Sequence, residues 1–370
     1  MTLEEIRKEI DDVDKRLLPL FLRRMECAEK VAAVKKERGL PVYNAERERQ
    51  ILDAVETGAG RYGGEARILF SDLMAMSRAA QHRLLESGAP LRGAVERAPA
   101  AAPRVSSAAC LGEAGSFSHE AALRLFPDAK PLFFPGFRAI FEAVENGGAD
   151  AGVLPADNSS AGSVAEVYDL MLQYRFSIFG ALSLPVRHCL ASVESSRKNI
   201  QIVYSHPQAL RQCAGFLARG GWKLLPCSST AEAAELAKAP GVGAVCSLRA
   251  ARECGLNVIA ENIQDASGNR TRFLAVGKKL CLPPHADKIS VCFALPHRTG
   301  SLYGVLARFA AAGLNLTKIE SRPIPGRNFE YDFYLDFTGS VRDAKTLDLL
   351  CALSGELPRF TFLGNYPEVL

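Results

Sequence analysis

Asn269 to Phe273 reads NRTRF, and Glu320 to Pro323, some fifty residues on, reads ESRP. The first stretch sets one hydroxyl between two guanidinium groups, as a site for a small polyanion undergoing proton transfer would. The second lies inside a short βαββαβ pattern, the shape of a small effector-binding unit. Reading outward from the two stretches divides the chain into three regimes.

Upstream of NRTRF, strand-like runs alternate with helical ones. Ala108 to Leu111 precedes a helix from Ser118, Ala151 to Leu154 one from Val164, Ile200 to Tyr204 one from Gln208, and Ala244 to Cys246 one from Leu248. That alternation predicts an α/β domain, mostly parallel, with two lobes around a ligand cleft. Around ESRP the period changes. Ile289, Val291, Phe293 and Leu295 alternate as a strand, a helix covers about Ser301 to Ala312, and strands follow at Leu314 to Glu320 and Phe329 to Phe337. In the latter strand Glu330, Asp332 and Asp336 are expected to share a polar face. A helix near Ala344 to Leu353 and a strand at Phe360 to Leu363 complete the unit.

The N-terminal regime is helical. Leu3, Ile6, Ile10, Val13, Leu17 and Leu20 recur at three-and-four spacing, predicting one long amphipathic helix ended by Gly39 and Pro41. Two more helices, about Asn44 to Glu56 and Glu65 to Glu86, follow. Three such helices cannot close a core alone, so a dimer or higher homo-oligomer built through the long helix is expected. From Gly88 to Ser107 the aperiodic run of Ala, Pro, Gly and Arg reads as a linker. The expected boundaries are 1–87, linker 88–107, 108–280 and 286–370.

Composition narrows the function. The 370 residues carry a net charge of only +4, evenly spread, which argues against a nucleic-acid partner. No apolar run approaches the roughly eighteen residues of a membrane span, and the first thirty residues are unlike a signal peptide, so a cytoplasmic location is expected. Ten cysteines stand singly, without metal-ligand rhythm, and read as reduced thiols. No cofactor or metal is expected.

On the first helix, Arg24 and Lys35 lie only about 20° apart at about 100° per residue, so two cations share a face, while Arg7 lies about 100° away. The plain alternative is a solvated charged face. Arg47 and Glu48 on the second helix, with Ser77 and Gln81 on the third, weigh against it by adding polar groups to a small bundle's interior. In these positions residues 1–87 resemble the all-α chorismate mutases. The resemblance implies that Arg24, Arg47 and a partner subunit's Arg7 hold the two carboxylates of chorismate. It further implies that Lys35 and Gln81 donate to the breaking ether oxygen, that Glu48 meets the ring hydroxyl, and that Ser77 belongs to the site. Asn44, where that family often has Asp, is a further contact.

The middle segment resembles the prephenate dehydratases. It does so through GSFSHEA (Gly115–Ala121), GVLPADNSSAGSV (Gly152–Val164), SHPQ (Ser205–Gln208), SSTA (Ser228–Ala231) and NRTRF. Implied are a two-lobed, periplasmic-binding-protein-like fold and Thr271 as the acid that protonates the departing hydroxyl. Asn158, Ser159 and Gln208 would position prephenate, Arg272 would stand near a carboxylate and Phe273 beside the ring. His119 and His206 read as structural hydrogen-bonding groups. The C-terminal segment resembles the ferredoxin-like ACT effector domains, which implies phenylalanine as allosteric effector held at Gly300, Ser301, Leu302, Glu320, Ser321 and Arg322. Ser301, Leu302 and Tyr303 stand where that family commonly has Ala, Leu and Val. Together the resemblances imply a multidomain enzyme of phenylalanine biosynthesis that makes prephenate and then phenylpyruvate. Two other readings stay open: a fused enzyme that prefers arogenate, and a non-catalytic amino-acid sensor.

Overall fold

The hydroxyl of Thr2 accepts from the Glu5 amide while the Glu5 carboxylate accepts from the Thr2 amide, and this capping box starts α1 (Leu3–Arg38). Gly39, left-handed at φ 64°, ends it. Then come α2 (Ala45–Gly58), capped by Asn44, and α3 (Gly63–Leu84). The computed structural model describes residues 2–324, 326–327 and 329–369. Along α1 only Ala28 and Ala32 are buried, whereas the stripe of Leu3, Ile6, Ile10, Val13, Leu17 and Leu20 is 39–63% exposed.

The chain forms two compact units, and their composition differs from the order of the sequence. The first comprises residues 1–97 and 289–362, so the N-terminal helices share a unit with most of the C-terminal segment. Where a linker is expected, Ala89–Arg97 forms a helix, α4. Ala, Leu, Arg and Glu are good helix formers, Pro90 is tolerated in a first turn, and Arg92 reaches Asp348 at 2.6 Å. Gly88 precedes it at φ 74°, where a Cβ would stand 2.6 Å from the backbone of Cys351.

The second unit, residues 98–288 and 363–370, holds two sheets. Its strands are β1 (Ser107–Leu111), β2 (Lys130–Phe134), β3 (Ala151–Asn158), β4 (Gly162–Ser163), β5 (Ser177–Pro185), β6 (Cys189–Ser192), β7 (Ile202–Ser205), β8 (Lys223–Pro226), β9 (Val242–Cys246), β10 (Asn257–Ala260) and β11 (Arg270–Gly277). β12 (Lys288–Ala294), β13 (Leu316–Pro323), β14 (Tyr331–Thr338), β15 (Thr361–Tyr366) and β16 (Glu368–Val369) follow. One sheet runs β16-β5-β11-β3-β1-β2 with β4 beside β3, and the other β10-β6-β9-β7-β8.

Both sheets are mixed rather than mostly parallel. β5 leaves the first lobe and β11 returns to it, so the two crossing strands lie antiparallel side by side, and β11 is also antiparallel to β3. The returning strand carries NRTRF.

The C-terminal elements follow the order β12, helix Ser301–Ala311, β13, β14, helix Ala344–Glu356, β15, with the sheet arranged β13-β14-β12-β15. The two acidic residues of β14 are buried with partners. Asp332 and Asp336 are buried, the first held by Arg359 at 2.8 and 3.0 Å and the second by the Ser290 hydroxyl.

Candidate active sites

In the first unit the N-terminal helices enclose a cavity of about 280 Å³, lined among others by Arg24, Lys35, Asn44, Arg47, Glu48, Ser77, Arg78 and Gln81. Arg24 donates to the Ser77 hydroxyl at 2.6 Å and to the Leu73 carbonyl at 2.8 Å, which fixes its guanidinium against α3. Gly39 turns the chain back after α1, and Lys35 then donates to the Val42 carbonyl at 2.5 Å. Burial holds both cations below their ordinary pKa values, with Glu48 opposing it. Asn44 spends its side-chain oxygen on the Arg47 amide at 3.0 Å, so its nearest duty is to cap α2. Gln81 is buried, and its Oε1 has no hydrogen-bond partner among the described residues. Cations from three helices therefore face a carboxylate and three neutral polar groups across one hollow, an arrangement able to hold a small dicarboxylate and stabilise charge growing on an oxygen. Arg7 is exposed on α1 and does not line the cavity. Sequence reasoning missed Arg78, whose guanidinium meets the Glu48 carboxylate.

In the second unit the register pairs Thr271 of β11 with Asn158 of β3. Oδ1 of Asn158 accepts from the amides of Ser160 and Ala161, both at 3.0 Å, and from the Ser160 hydroxyl at 2.8 Å. Those donors settle which way the amide points. Its nitrogen must then face the other way, where it donates to Thr271 Oγ1 at 2.8 Å and to Asn269 Oδ1 at 3.0 Å. With its oxygen engaged as acceptor, buried Thr271 keeps its own proton to give elsewhere. Ser159 Oγ accepts from the Arg270 amide at 3.0 Å, tying the loop after β3 to the start of β11.

The cleft is closed from the other lobe by Gln212, which donates to Ser160 Oγ at 3.1 Å and lies 3.0 Å from His188 Nε2. Ser229 reaches Glu113 at 2.7 Å, and Ser247 reaches the Gly115 carbonyl at 2.8 Å. Gly115 sits at φ 84°, and a Cβ there would come 2.8 Å from Ala250 Cα, so the lobes meet too closely for a side chain.

Three expected residues are placed otherwise. A strand turns successive side chains to opposite faces, so Arg272 points away from Thr271. Its guanidinium meets Glu368 at 2.6 Å, the Tyr366 hydroxyl at 2.7 Å and Asp157 at 3.4 Å, so the structure does not bring it to a substrate carboxylate. Phe273 is 2% exposed, packed with Cys110, Val153, Leu182 and Leu184 as floor rather than wall. Gln208 is half-buried, and Gln212, four residues on and thus on the same helical face, reaches the Ser160 side of the cleft instead. That spacing in SHPQALRQ was a legible signal. As expected, His119 accepts from the Gly115 amide at 3.0 Å and His206 from the Gln208 amide at 3.2 Å.

In the C-terminal segment Gly300, at φ 81°, opens the helix Ser301–Ala311 with no side-chain cap, and Leu302 is half-buried behind it. Tyr303 turns to α3, its hydroxyl 3.1 Å from Asp72. Glu320, Ser321 and Arg322 lie on β13 at the sheet's edge, with Lys318 3.1 Å from Glu320.

A family model for prephenate dehydratase matches residues 108–280, and one for type II chorismate mutase matches residues 6–82. The chain is 32% identical over 378 residues to a bifunctional chorismate mutase/prephenate dehydratase of Aquifex aeolicus, spanning 100% of this chain and 98% of that protein. It is 39% identical over 276 residues to arogenate dehydratase/prephenate dehydratase 1 of Arabidopsis thaliana, across 69% of this chain and 70% of that one. Among solved structures it resembles a prephenate dehydratase of Arthrobacter aurescens in complex with L-Phe, at TM-score 0.64 and 31% identity over 70% of this chain and 89% of that chain. No helix among the described residues is long and apolar enough to cross a membrane.

Proposed function

We propose how two sites divide the work in this chain, which belongs to the family of bifunctional chorismate mutase/prephenate dehydratases and carries both activities. The mutase occupies 1–87, the dehydratase 108–280 and an ACT-type, ferredoxin-like effector module 286–370. In the helical cavity Arg24 and Arg47 hold the two carboxylates of chorismate, with Arg7 of a second copy completing the clamp. The exposed apolar stripe of α1 supports that copy, because leaving six large side chains in water is unfavourable at about 25 cal/mol per Å². The rearrangement is pericyclic and needs no base or nucleophile. Lys35 and Gln81 stabilise the ether oxygen as the C–O bond breaks, and Glu48 takes the ring hydroxyl. A millionfold acceleration corresponds to about 8 kcal/mol, within reach of orientation and electrostatics.

In the cleft, prephenate loses carbon dioxide, the electron pair of the broken C–C bond enters the ring, and the ring hydroxyl leaves as the ring becomes aromatic. Thr271 gives that hydroxyl a proton, water departs, and Thr271 recovers a proton from solvent. Asn158 supports this role most directly, since its amide occupies the Thr271 oxygen and leaves the hydroxyl proton for the leaving group. Prephenate rather than arogenate is favoured by full-length similarity to bifunctional relatives. Phenylalanine is the effector, bound at Gly300–Leu302 and Glu320–Arg322 where two modules pair along the exposed edge of β13, and the enzyme works in the cytoplasm. The decisive experiment supplies chorismate and identifies the product. Thr271→Ala should accumulate prephenate and Lys35→Ala should leave chorismate unconverted while still dehydrating added prephenate. Loss of both activities in either folded variant would sink the two-site reading.

A further inference from the structure

Glu48 is a carboxylate in a cavity whose other charged groups, Arg24, Lys35, Arg47 and Arg78, are cations. Left to itself it would pair with one of them. Lys35 already feels its field, and an ion pair there would quench the ammonium on which the proposed rearrangement relies. The structure shows what prevents this. Arg78 of α3 takes the Glu48 carboxylate on Nη1, and its guanidinium lies over the Tyr43 ring at 5.5 Å.

The other edge of that guanidinium is also occupied. Nε of Arg78 stands 3.4 Å from Oε2 of Glu356, the last residue of the helix Ala344–Glu356 in the C-terminal segment. Glu356 is fixed in turn by His82 Nε2 at 2.7 Å and Arg308 Nη1 at 2.8 Å, all four side chains being at most 16% exposed. Burial alone would raise the Glu356 carboxyl, but His82, Arg308 and Arg78 together bring it down to about 2, so it is ionised at any working pH. A guanidinium held between two carboxylates cannot rotate to follow either one.

We propose that Arg78 is a positioning residue of the mutase site and that Glu356, supplied by the C-terminal module, anchors it, so that chorismate rearrangement depends on a residue outside the helical segment. The proposal rests on the reading of Glu48 as part of that site. It is tested on the full chain with Glu356→Gln, Glu48→Gln and the double variant.

Glu356→Gln should lower kcat/KM for chorismate about ten- to a hundredfold through displacement of Glu48. Dehydration of added prephenate should not change. If Glu356 acts only through Glu48, it should cost nothing further in the Glu48→Gln background. An effect multiplying independently in the double variant, or mutase activity within about twofold of wild type in Glu356→Gln, overturns the proposal. Should Glu356→Gln fail to fold, Arg78→Lys, which keeps a charge but cannot bridge two carboxylates, must produce the same mutase-selective loss or the proposal falls. A Glu48→Gln enzyme as active as wild type would instead remove the reading of Glu48 itself.

Discussion

Replacing Asn158 by Asp changes one amide nitrogen to an oxygen and leaves the side chain's shape intact. The remaining Oδ1 can still accept from Ser160 and Ala161. The new oxygen faces Asn269 Oδ1, the Arg270 carbonyl and Thr271 Oγ1, where the amide nitrogen now donates at 3.0, 3.3 and 2.8 Å. Of those three groups only Thr271 has a proton to offer, so its hydroxyl turns to the introduced carboxylate and is lost to the substrate. General-acid catalysis is worth about a hundredfold to ten-thousandfold, and kcat for prephenate should fall by that factor with a smaller change in KM. Facing a carboxylate toward two acceptor oxygens should also cost about 1–3 kcal/mol of stability. The deficit has a pH signature. As pH falls the introduced carboxylate takes up a proton, becomes a donor again and can return Thr271 to its acceptor role, so the ratio of variant to wild-type rate should rise on acidification. Phenylpyruvate formation followed across pH, with thermal melts alongside, decides it. An Asn158→Asp enzyme with a normal rate and a normal melt would refute the assignment of Thr271's proton.

Burial lowers the Lys35 pKa, and the proposed role of Lys35 uses the protonated ammonium, so kcat/KM for chorismate should fall on the alkaline side before an ordinary lysine would titrate; a rate that is flat through that range counts against Lys35. Glu368→Gln removes the carboxylate that Arg272 and Lys288 share at 2.6 and 3.1 Å, and with Asp157 still beside Arg272 the loss should be about 2–3 kcal/mol, read as a lower melting temperature. Phenylalanine should raise the apparent prephenate requirement roughly 5- to 150-fold, the usual span of allosteric coupling. Calorimetry showing no heat at saturating phenylalanine, together with no inhibition, would exclude the C-terminal module as its sensor.

What the sequence shows of these sites follows from the range of the interactions that build them. Arg24, Lys35, Ser77 and Gln81 could be placed because helical periodicity is local, and the register of α1 alone orients two of the cations. NRTRF could be read as a site but not resolved into its parts. The alternation that turns Arg272 away from Thr271 is a two-residue rule and was available. What was not available was the destination, since Glu368 and Tyr366 come from the far end of the chain. The partners of Asp332 and Asp336 were hidden for the same reason: alternation puts both on one face of the strand, but not Arg359 and Ser290 opposite them. Gln212 stood one helical turn beyond a residue that was chosen, and only the loop holding Ser160 tells the two apart.

The C-terminal segment contributes residues to both compact units, and the two contributions differ in kind. Through Glu356 it reaches a side chain that borders the mutase cavity. Through Tyr366 and Glu368 it meets the residue that follows Thr271 in β11, on the reverse face of the strand. These contacts bear on how the chain could be cut. A fragment ending near residue 90 would keep Arg24, Lys35 and Gln81, yet would leave Arg78 and His82 without the carboxylate they share and α3 without the helices that cover it. Removing one partner from a buried ion-paired network is costly, on the order of 3–5 kcal/mol. Such a fragment should therefore bind chorismate through its intact arginines but convert it slowly. Steady-state kinetics of the fragment against the full chain decide it: a fragment with the full chain's kcat for chorismate would refute the dependence on Glu356.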